Sequence, residues 1–309
     1  MGVWLGNQQL LTGTVVRAFG KFFEVALDES DATLLCTPKG ILKRERKGTD
    51  IVAVGDRVTV VDVGDGEGRI ELVEPRQSVL ARLARHTRDT EQVLVANPDQ
   101  ALFLFAATEP VPHPRMLDRF LVLAESRDLP VLIGVNKIDL LAGDPAQVFP
   151  EHRAIYPVID ISVRTDQGVN YLRELLEGKI TVVAGPSGVG KSSLVNSLNP
   201  DLGLAISSIS ESTGKGKHTT TAAQLFRLGP ETYIADTPGI RALALQGVAL
   251  EDLPECFPEF RPFLGHCRFN DCTHVHEPGC AIREAVGSGE IGFGRYESYV
   301  SLRRGDPED

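Results

Sequence analysis

Short runs of β-branched and aromatic residues, broken by glycine and aspartate, fill the start of the chain. Thr14-Val-Val-Arg-Ala-Phe19 and Phe22-Phe-Glu-Val-Ala-Leu27 flank a turn at Gly20. Thr33-Leu-Leu-Cys36 follows, and Arg57-Val-Thr-Val-Val-Asp62 and Arg69-Ile-Glu-Leu-Val73 flank Gly64-Asp-Gly-Glu-Gly68. This punctuation predicts about five strands in a small barrel. An OB-fold has the right size and strand count, and an SH3-like barrel is the rival. Pro75 marks a boundary, so residues 1–75 are expected to form the first domain.

From residue 76 to 245 the pattern alternates between strand and helix. Ala101-Leu-Phe-Leu-Phe-Ala-Ala107 reads as a buried strand. Residues Arg115 to Arg127 read as a helix with Leu117, Phe120, Leu121 and Ala124 on one face. Further strands are expected at Val131-Leu-Ile-Gly-Val-Asn136, Tyr156-Pro-Val-Ile-Asp-Ile-Ser162, Ile180-Thr-Val-Val-Ala184 and Thr232-Tyr-Ile-Ala235. This is the signature of an α/β domain, which binds ligands at the carboxyl ends of its strands. Residues 246–309 carry little strand signal and two short helical stretches, near Ala281–Val286 and Tyr296–Arg303. The whole reads as a multidomain chain: barrel, α/β domain and a mostly helical C-terminal domain.

Three motifs lie at those strand ends. Gly185-Pro-Ser187-Gly188-Val189-Gly190-Lys191-Ser192-Ser193 fits a phosphate-binding loop that opens a helix. Its glycines let backbone N–H groups turn towards phosphate, Lys191 supplies charge for the β and γ oxygens, and Ser192 offers a hydroxyl to Mg²⁺. Asn136-Lys137-Ile138-Asp139 fits guanine recognition. Asp139 can accept both the N1–H and the N2 amine of guanine, a donor pair that adenine lacks. Asn136 can brace the loop, and the Lys137 stem can stack on the base. Ser162 either completes this pocket or is an ordinary strand-end serine. Asp236-Thr-Pro-Gly239 fits the magnesium and γ-phosphate sensor: Asp236 holds Mg²⁺ through water and the Gly239 amide senses the phosphate. Gly214 to Thr221 forms a polar, glycine-rich switch candidate. Thr220 is the favoured magnesium ligand in it, with Thr219 and Thr221 as alternatives. Where some GTPases carry a water-orienting glutamine after this sensor, the chain has Ile240. His218 is the nearest group in sequence that could position the water.

The order of the three motifs is permuted: base motif first, phosphate loop second, sensor third. An unpermuted GTPase carries the base motif last. The expected activity is GTP hydrolysis to GDP and phosphate, and Asp139 conflicts with an ATP-using kinase. The alternative is a GTP-regulated RNA-binding adaptor in which hydrolysis is incidental. Leaving the domain just after the sensor, the run from Gly239 to Cys256 is expected to transmit loss of the γ-phosphate to the C-terminal domain.

Five cysteines occur among 309 residues, three of them between Cys267 and Cys280. Cys267-x4-Cys272-x-His274-x5-Cys280 is a Cys₃His set suited to one closed, structural, tetrahedral Zn²⁺ site. His276 is the competing imidazole. The formal net charge of −10 argues against bulk coating of nucleic acid. Two basic clusters remain, Lys39, Lys43, Arg44, Arg46 and Lys47, and Arg76, Arg82, Arg85 and Arg88; each reads as solvated surface or as a focused phosphate contact. With no signal peptide and no long apolar run, a cytoplasmic protein outside the membrane is expected.

Taken with Val54-Gly-Asp-Arg-Val58, Val95-Ala-Asn-Pro-Asp-Gln100, Leu117-Asp-Arg-Phe-Leu121 and the string from Cys267 to Cys280, the chain resembles the RsgA family. These are circularly permuted GTPases of bacterial small-ribosomal-subunit biogenesis. The resemblance implies an OB-fold, a permuted G domain and a zinc domain acting together on the 30S subunit and its 16S rRNA. It implies a late assembly step with turnover stimulated by the particle, and a role for His218 in hydrolysis. A monomer is expected.

Overall fold

The computed structural model describes residues 4–5, 8–40, 50–83, 91–204, 223–236 and 248–305. The chain folds as two compact units, each assembled from separated stretches. One takes Met1–Ala101, Val169–Ala184 and Gly190–Ile240, and the other Leu102–Gly168, Gly185–Val189 and Arg241–Asp309.

In the first unit, β1 (Trp4–Leu5), β2 (Gln8–Phe19), β3 (Phe22–Leu27), β4 (Thr33–Pro38), β5 (Arg57–Gly64) and β6 (Glu67–Val73) form one sheet. Its order is β1-β2-β3-β4-β6-β5, and β2 also pairs with β5 and closes it. All neighbours are antiparallel except β4 and β6, which run parallel. This Greek-key closure of five strands is the OB arrangement and settles the choice against an SH3-like barrel. Alternate residues fill the interior: Val15, Val25, Leu34, Cys36, Val58, Val60 and Ile70 are buried together. Asp56 is fully buried, accepts from the Ala53 amide at 2.7 Å, and pairs with Arg76 Nε at 2.7 Å and Nη2 at 2.8 Å. Arg76 is thus a structural cation under the barrel. Lys39 pairs with Glu71 at 2.5 Å. Of the two basic clusters, Lys43, Arg44, Arg46, Lys47, Arg85 and Arg88 lie outside the described residues, as does the Arg82 side chain.

β7 (Val79–Leu83) and β8 (Glu91–Ala96) form a separate antiparallel pair. Gly55 approaches it so closely that an added Cβ would sit 2.0 Å from the Ala96 carbonyl oxygen, and its φ of +92° excludes most side chains besides. The remaining strands are β9 (Gln100–Ala106), β10 (Val131–Asn136), β11 (Val158–Asp160), β12 (Ile180–Ala184), β13 (Gln224–Gly229) and β14 (Thr232–Asp236). In the second unit β10 and β11 pair in parallel. β12 and β14 are parallel, and β13 is an antiparallel edge strand on β14.

The second unit places α1 (Pro114–Glu125) against its strands, with Phe120 stacked on Phe103 at 5.3 Å between ring centres. The short α2 (Pro150–Arg153) precedes β11. In the first unit, α3 (Val169–Leu176) and α4 (Lys191–Leu198) flank β12 in sequence. The C-terminal stretch belongs to the second unit. It holds 3₁₀ turns at Leu253–Cys256 and Pro258–Phe263, then α5 (Ala281–Ser288) and α6 (Phe293–Arg304). Phe257, Phe260, Ile282, Ile291 and Tyr299 make its core, and Val122 of α1 packs into the same core.

Candidate nucleotide and metal sites

The phosphate loop connects β12 to α4 through three glycines with positive φ. Gly185 at +154° lies against the Leu104 carbonyl, where a Cβ would come within 2.0 Å of the oxygen. Gly188 and Gly190 follow at +79° and +98°. Pro186 is half-buried, Ser187 is exposed and Val189 is fully buried. α4 begins at Lys191, and the Leu194 amide donates to the Gly190 carbonyl at 2.8 Å. Lys191 and Ser192 are buried in that first turn, and Ser193 is half-buried. A helix start beneath a glycine-bent loop gathers amide donors and the positive dipole end, which suits an anion.

The base motif is built into this loop from below. Asn136 ends β10 and is buried; its Nδ2 donates to the Val189 carbonyl at 2.8 Å, and its Oδ1 accepts from the Val163 amide at 3.3 Å. Lys137, left-handed at φ +63°, donates from Nζ to Glu109 O at 2.6 Å and Gly188 O at 2.7 Å. Ile138 is buried and opens the 3₁₀ turn Ile138–Leu140 that presents Asp139. Ser162 donates from Oγ to Asp139 Oδ1 at 2.6 Å, and Arg164 Nε reaches Asp139 Oδ2 at 2.8 Å. The Ser162 hydrogen bond, then the Arg164 charge, hold the Asp139 carboxyl below the ordinary range despite some desolvation. Ser162 is thus hydrogen-bonded to Asp139 rather than facing solvent alone. Nothing in the sequence marks Arg164, because its partner lies 25 residues upstream, with a 3₁₀ turn, α2 and β11 between them.

Asp236 ends β14 in register with Val183 of β12, two residues before the phosphate loop. Its side chain, and the whole of His218, Thr219, Thr220, Thr221, Gly239 and Ile240, lie outside the described residues.

Cys267, Cys272, His274 and Cys280 bring four ligand atoms within 4.8 Å of one another. His274 Nδ1 is 3.4 Å from the sulfurs of both Cys267 and Cys280, and those sulfurs are 3.9 Å apart. A tetrahedral zinc with Zn–S bonds of ~2.3 Å would need edges of about this length. Burial pushes the Cys272 thiol up to about 12, so its thiolate form needs a cation beside it. The four residues thus fit Zn²⁺. His276 is exposed and outside the cluster, and Cys256 is buried in the apolar core, so the imidazole is His274. Outside the ligands, Tyr296 donates to the His274 carbonyl at 2.9 Å and Tyr299 to the Thr273 carbonyl at 2.7 Å.

The model of the RsgA GTPase family matches residues 73–246, the stretch that holds all three nucleotide motifs in their permuted order. The chain belongs to the RsgA GTPase family. It is 46% identical over 296 residues to "Small ribosomal subunit biogenesis GTPase RsgA" of Gemmatimonas aurantiaca, covering 94% of this chain and 96% of that one. The protein of the same name in Geobacillus thermodenitrificans is 41% identical over 295 residues, covering 94% and 95%. Among solved structures, YjeQ from Thermotoga maritima aligns with a TM-score of 0.78 at 34% identity, over 96% of this chain and 98% of that one. YloQ, described as a circularly permuted GTPase, aligns at 0.73 with 29% identity over 97% of each. As an RsgA GTPase the chain is a hydrolase of GTP, and a GTPase site requires Mg²⁺.

Proposed function

We propose that this RsgA GTPase acts in late maturation of the small ribosomal subunit, hydrolysing GTP in a cycle that the 30S particle stimulates. The observation that carries the reading is the permuted order of motifs in a chain alike over nearly its full length to proteins named for that process. The protein works as a cytoplasmic monomer and touches 16S rRNA. Among the described residues, no helix is long and apolar enough to cross a membrane. Residues 1–75 serve as the RNA-binding barrel, 76–245 as the GTPase domain and 246–309 as the zinc domain.

The phosphate loop from Gly185 to Ser193 wraps the phosphates with its amides, and Lys191 places a cation at the β and γ oxygens. That arrangement stabilises charge as it builds on the transferred phosphoryl group. Ser192, Thr220 and Asp236 would hold Mg²⁺, which on binding neutralises phosphate charge. Gly239 reports the γ-phosphate, and His218 orients the attacking water in place of the absent glutamine. Asn136 and Lys137 fix the base loop onto the phosphate loop at Val189 and Gly188, so base recognition and phosphate binding share one scaffold. Asp139 selects guanine.

The test is multiple-turnover phosphate release from GTP with and without purified 30S particles. Stimulation is expected. Equal rates in both would refute the reading and leave a GTP-regulated RNA-binding adaptor.

A further inference from the structure

We propose that Arg164 is a positioning residue for guanine selection, holding the Asp139 carboxylate in the plane that a two-donor base requires. The inference rests on the reading of Asp139 as the base acceptor. A carboxylate offers about four acceptor positions, two on each oxygen. Ser162 takes one on Oδ1 at 2.6 Å, and Arg164 takes one on Oδ2 at 2.8 Å. Each of these two partners takes one of the two positions on its own oxygen and leaves the other to be shared. Guanine presents two donors side by side, N1–H and the N2 amine, and so needs both oxygens at once.

The two restraints act together. The terminal torsion of an aspartate is broad, so one hydrogen bond leaves the carboxylate free to turn about it. Ser162 alone is such a pivot, and Arg164 on the other oxygen removes the rotation. Both come from the segment after β11, whose backbone is itself braced: the Thr165 amide donates to Ser162 Oγ at 3.2 Å, and the Val163 amide to Asn136 Oδ1 at 3.3 Å. The Asp139 side chain is largely covered, at 10% exposure, while that of Arg164 is 71% exposed. Arg164 therefore holds the carboxylate from the solvent side.

A base with one donor makes a different demand. Inosine keeps N1–H and lacks the amine, so a rotated carboxylate can still meet it. Loss of Arg164 should hurt guanine more than hypoxanthine, whereas general damage to the loop would weaken both alike.

The experiment measures the affinities of GDP, IDP and ADP for the full-length protein and for Arg164→Ala and Arg164→Lys, by competition with a fluorescent GDP analogue. Wild type is expected to prefer GDP over IDP and both over ADP. Arg164→Ala should lose roughly three- to five-fold in GDP affinity, as for an exposed ion pair, with a smaller loss for IDP, so that the GDP:IDP ratio narrows. Arg164→Lys, which restores a cation, should regain part of that ratio. An unchanged ratio in Arg164→Ala, or tighter GDP binding because Arg164 competes with the base, overturns the proposal. Wild type that binds ADP as well as GDP would instead overturn the assignment of Asp139 itself.

Discussion

Arg295 is the most deeply buried cation among the described residues, and replacing it should cost more than any exposed charge. Its side chain is 1% exposed, pairs with Asp118, and forks onto Glu259 with Nε at 2.7 Å and Nη2 at 3.2 Å. Its guanidinium also lies 4.6 Å from the centre of the Phe257 ring. Arg295→Met keeps the length and apolar bulk of the stem and removes the fork. Two carboxylates are then left buried without their cation, a defect worth about 3–5 kcal/mol. Against a total stability of ~5–15 kcal/mol this should lower the urea midpoint by about 1–2 M, read by circular dichroism and by zinc release to a chromogenic chelator. The pH dependence has a definite sign. Burial pushes the Asp118 carboxyl up, but the bond to His152 and the Arg295 charge outweigh it and hold the pKa below its unfolded value. Stability from that depressed pKa is fully present above about pH 4 and is lost as pH falls through the folded value. Without Arg295, burial regains ground, so the deficit of the variant should be largest at pH 7 and narrow as pH drops towards 4. Adding Asp118→Asn and Glu259→Gln to Arg295→Met should recover much of the loss, since no unpaired charge then remains buried. A single variant as stable as wild type at pH 7, or a deficit that does not change with pH, would refute the reasoning.

Two shorter predictions concern the sites themselves. Lys191→Ala should reduce GTP turnover at least ~100-fold, because a charge aimed at the phosphates is lost; normal turnover would show that the phosphates lie elsewhere. Elemental analysis should find one zinc per chain in wild type and none in Cys272→Ser, with a lowered melting temperature in the variant; full zinc occupancy in the variant would exclude the Cys₃His set.

The sequence carried most of the architecture because most of it is periodic. The barrel hairpins were visible in Gly20 and in Gly64 to Gly68, and every strand of the nucleotide half that ends in a motif was visible as an apolar run. Strand limits were less so: the strand expected from Tyr156 to Ser162 is only Val158–Asp160, as the chain bends to deliver Ser162 to Asp139. The edge strand Gln224–Gly229 escaped notice because it is half-buried nearly throughout and so does not alternate. The charges under the fold were illegible for another reason. Arg76 looked like one of a surface cluster, and only the folded chain sets it 20 residues away on Asp56. Arg295 and Asp118 are 177 residues apart, and nothing local distinguishes them from solvated side chains.

That last pair bears on what the permuted motif order does. Chain order makes the zinc segment follow the sensor motif, and this alone suggested Gly239 to Cys256 as the path by which loss of phosphate is felt. Residues 237–247 lie outside the described residues, but the segment beyond them has a second attachment. Glu151 of α2 accepts from the amides of Gly294 and Arg295 at 3.2 and 2.8 Å, where α6 begins. The next residue, His152, meets Asp118 at 2.7 Å, and Arg153 meets Asp160 of β11 at 2.5 Å. β11 leads directly to Ser162 and its hydrogen bond with Asp139. The zinc segment is thus joined by covalent bonds to the Asp236 motif and by buried charge to the stretch that carries Asn136 to Asp139. An insertion after Arg241 alters the first attachment and leaves the second, whereas Arg295→Met does the reverse. The two perturbations therefore separate a signal carried by the chain from one carried by packing, a distinction that motif order alone could not draw.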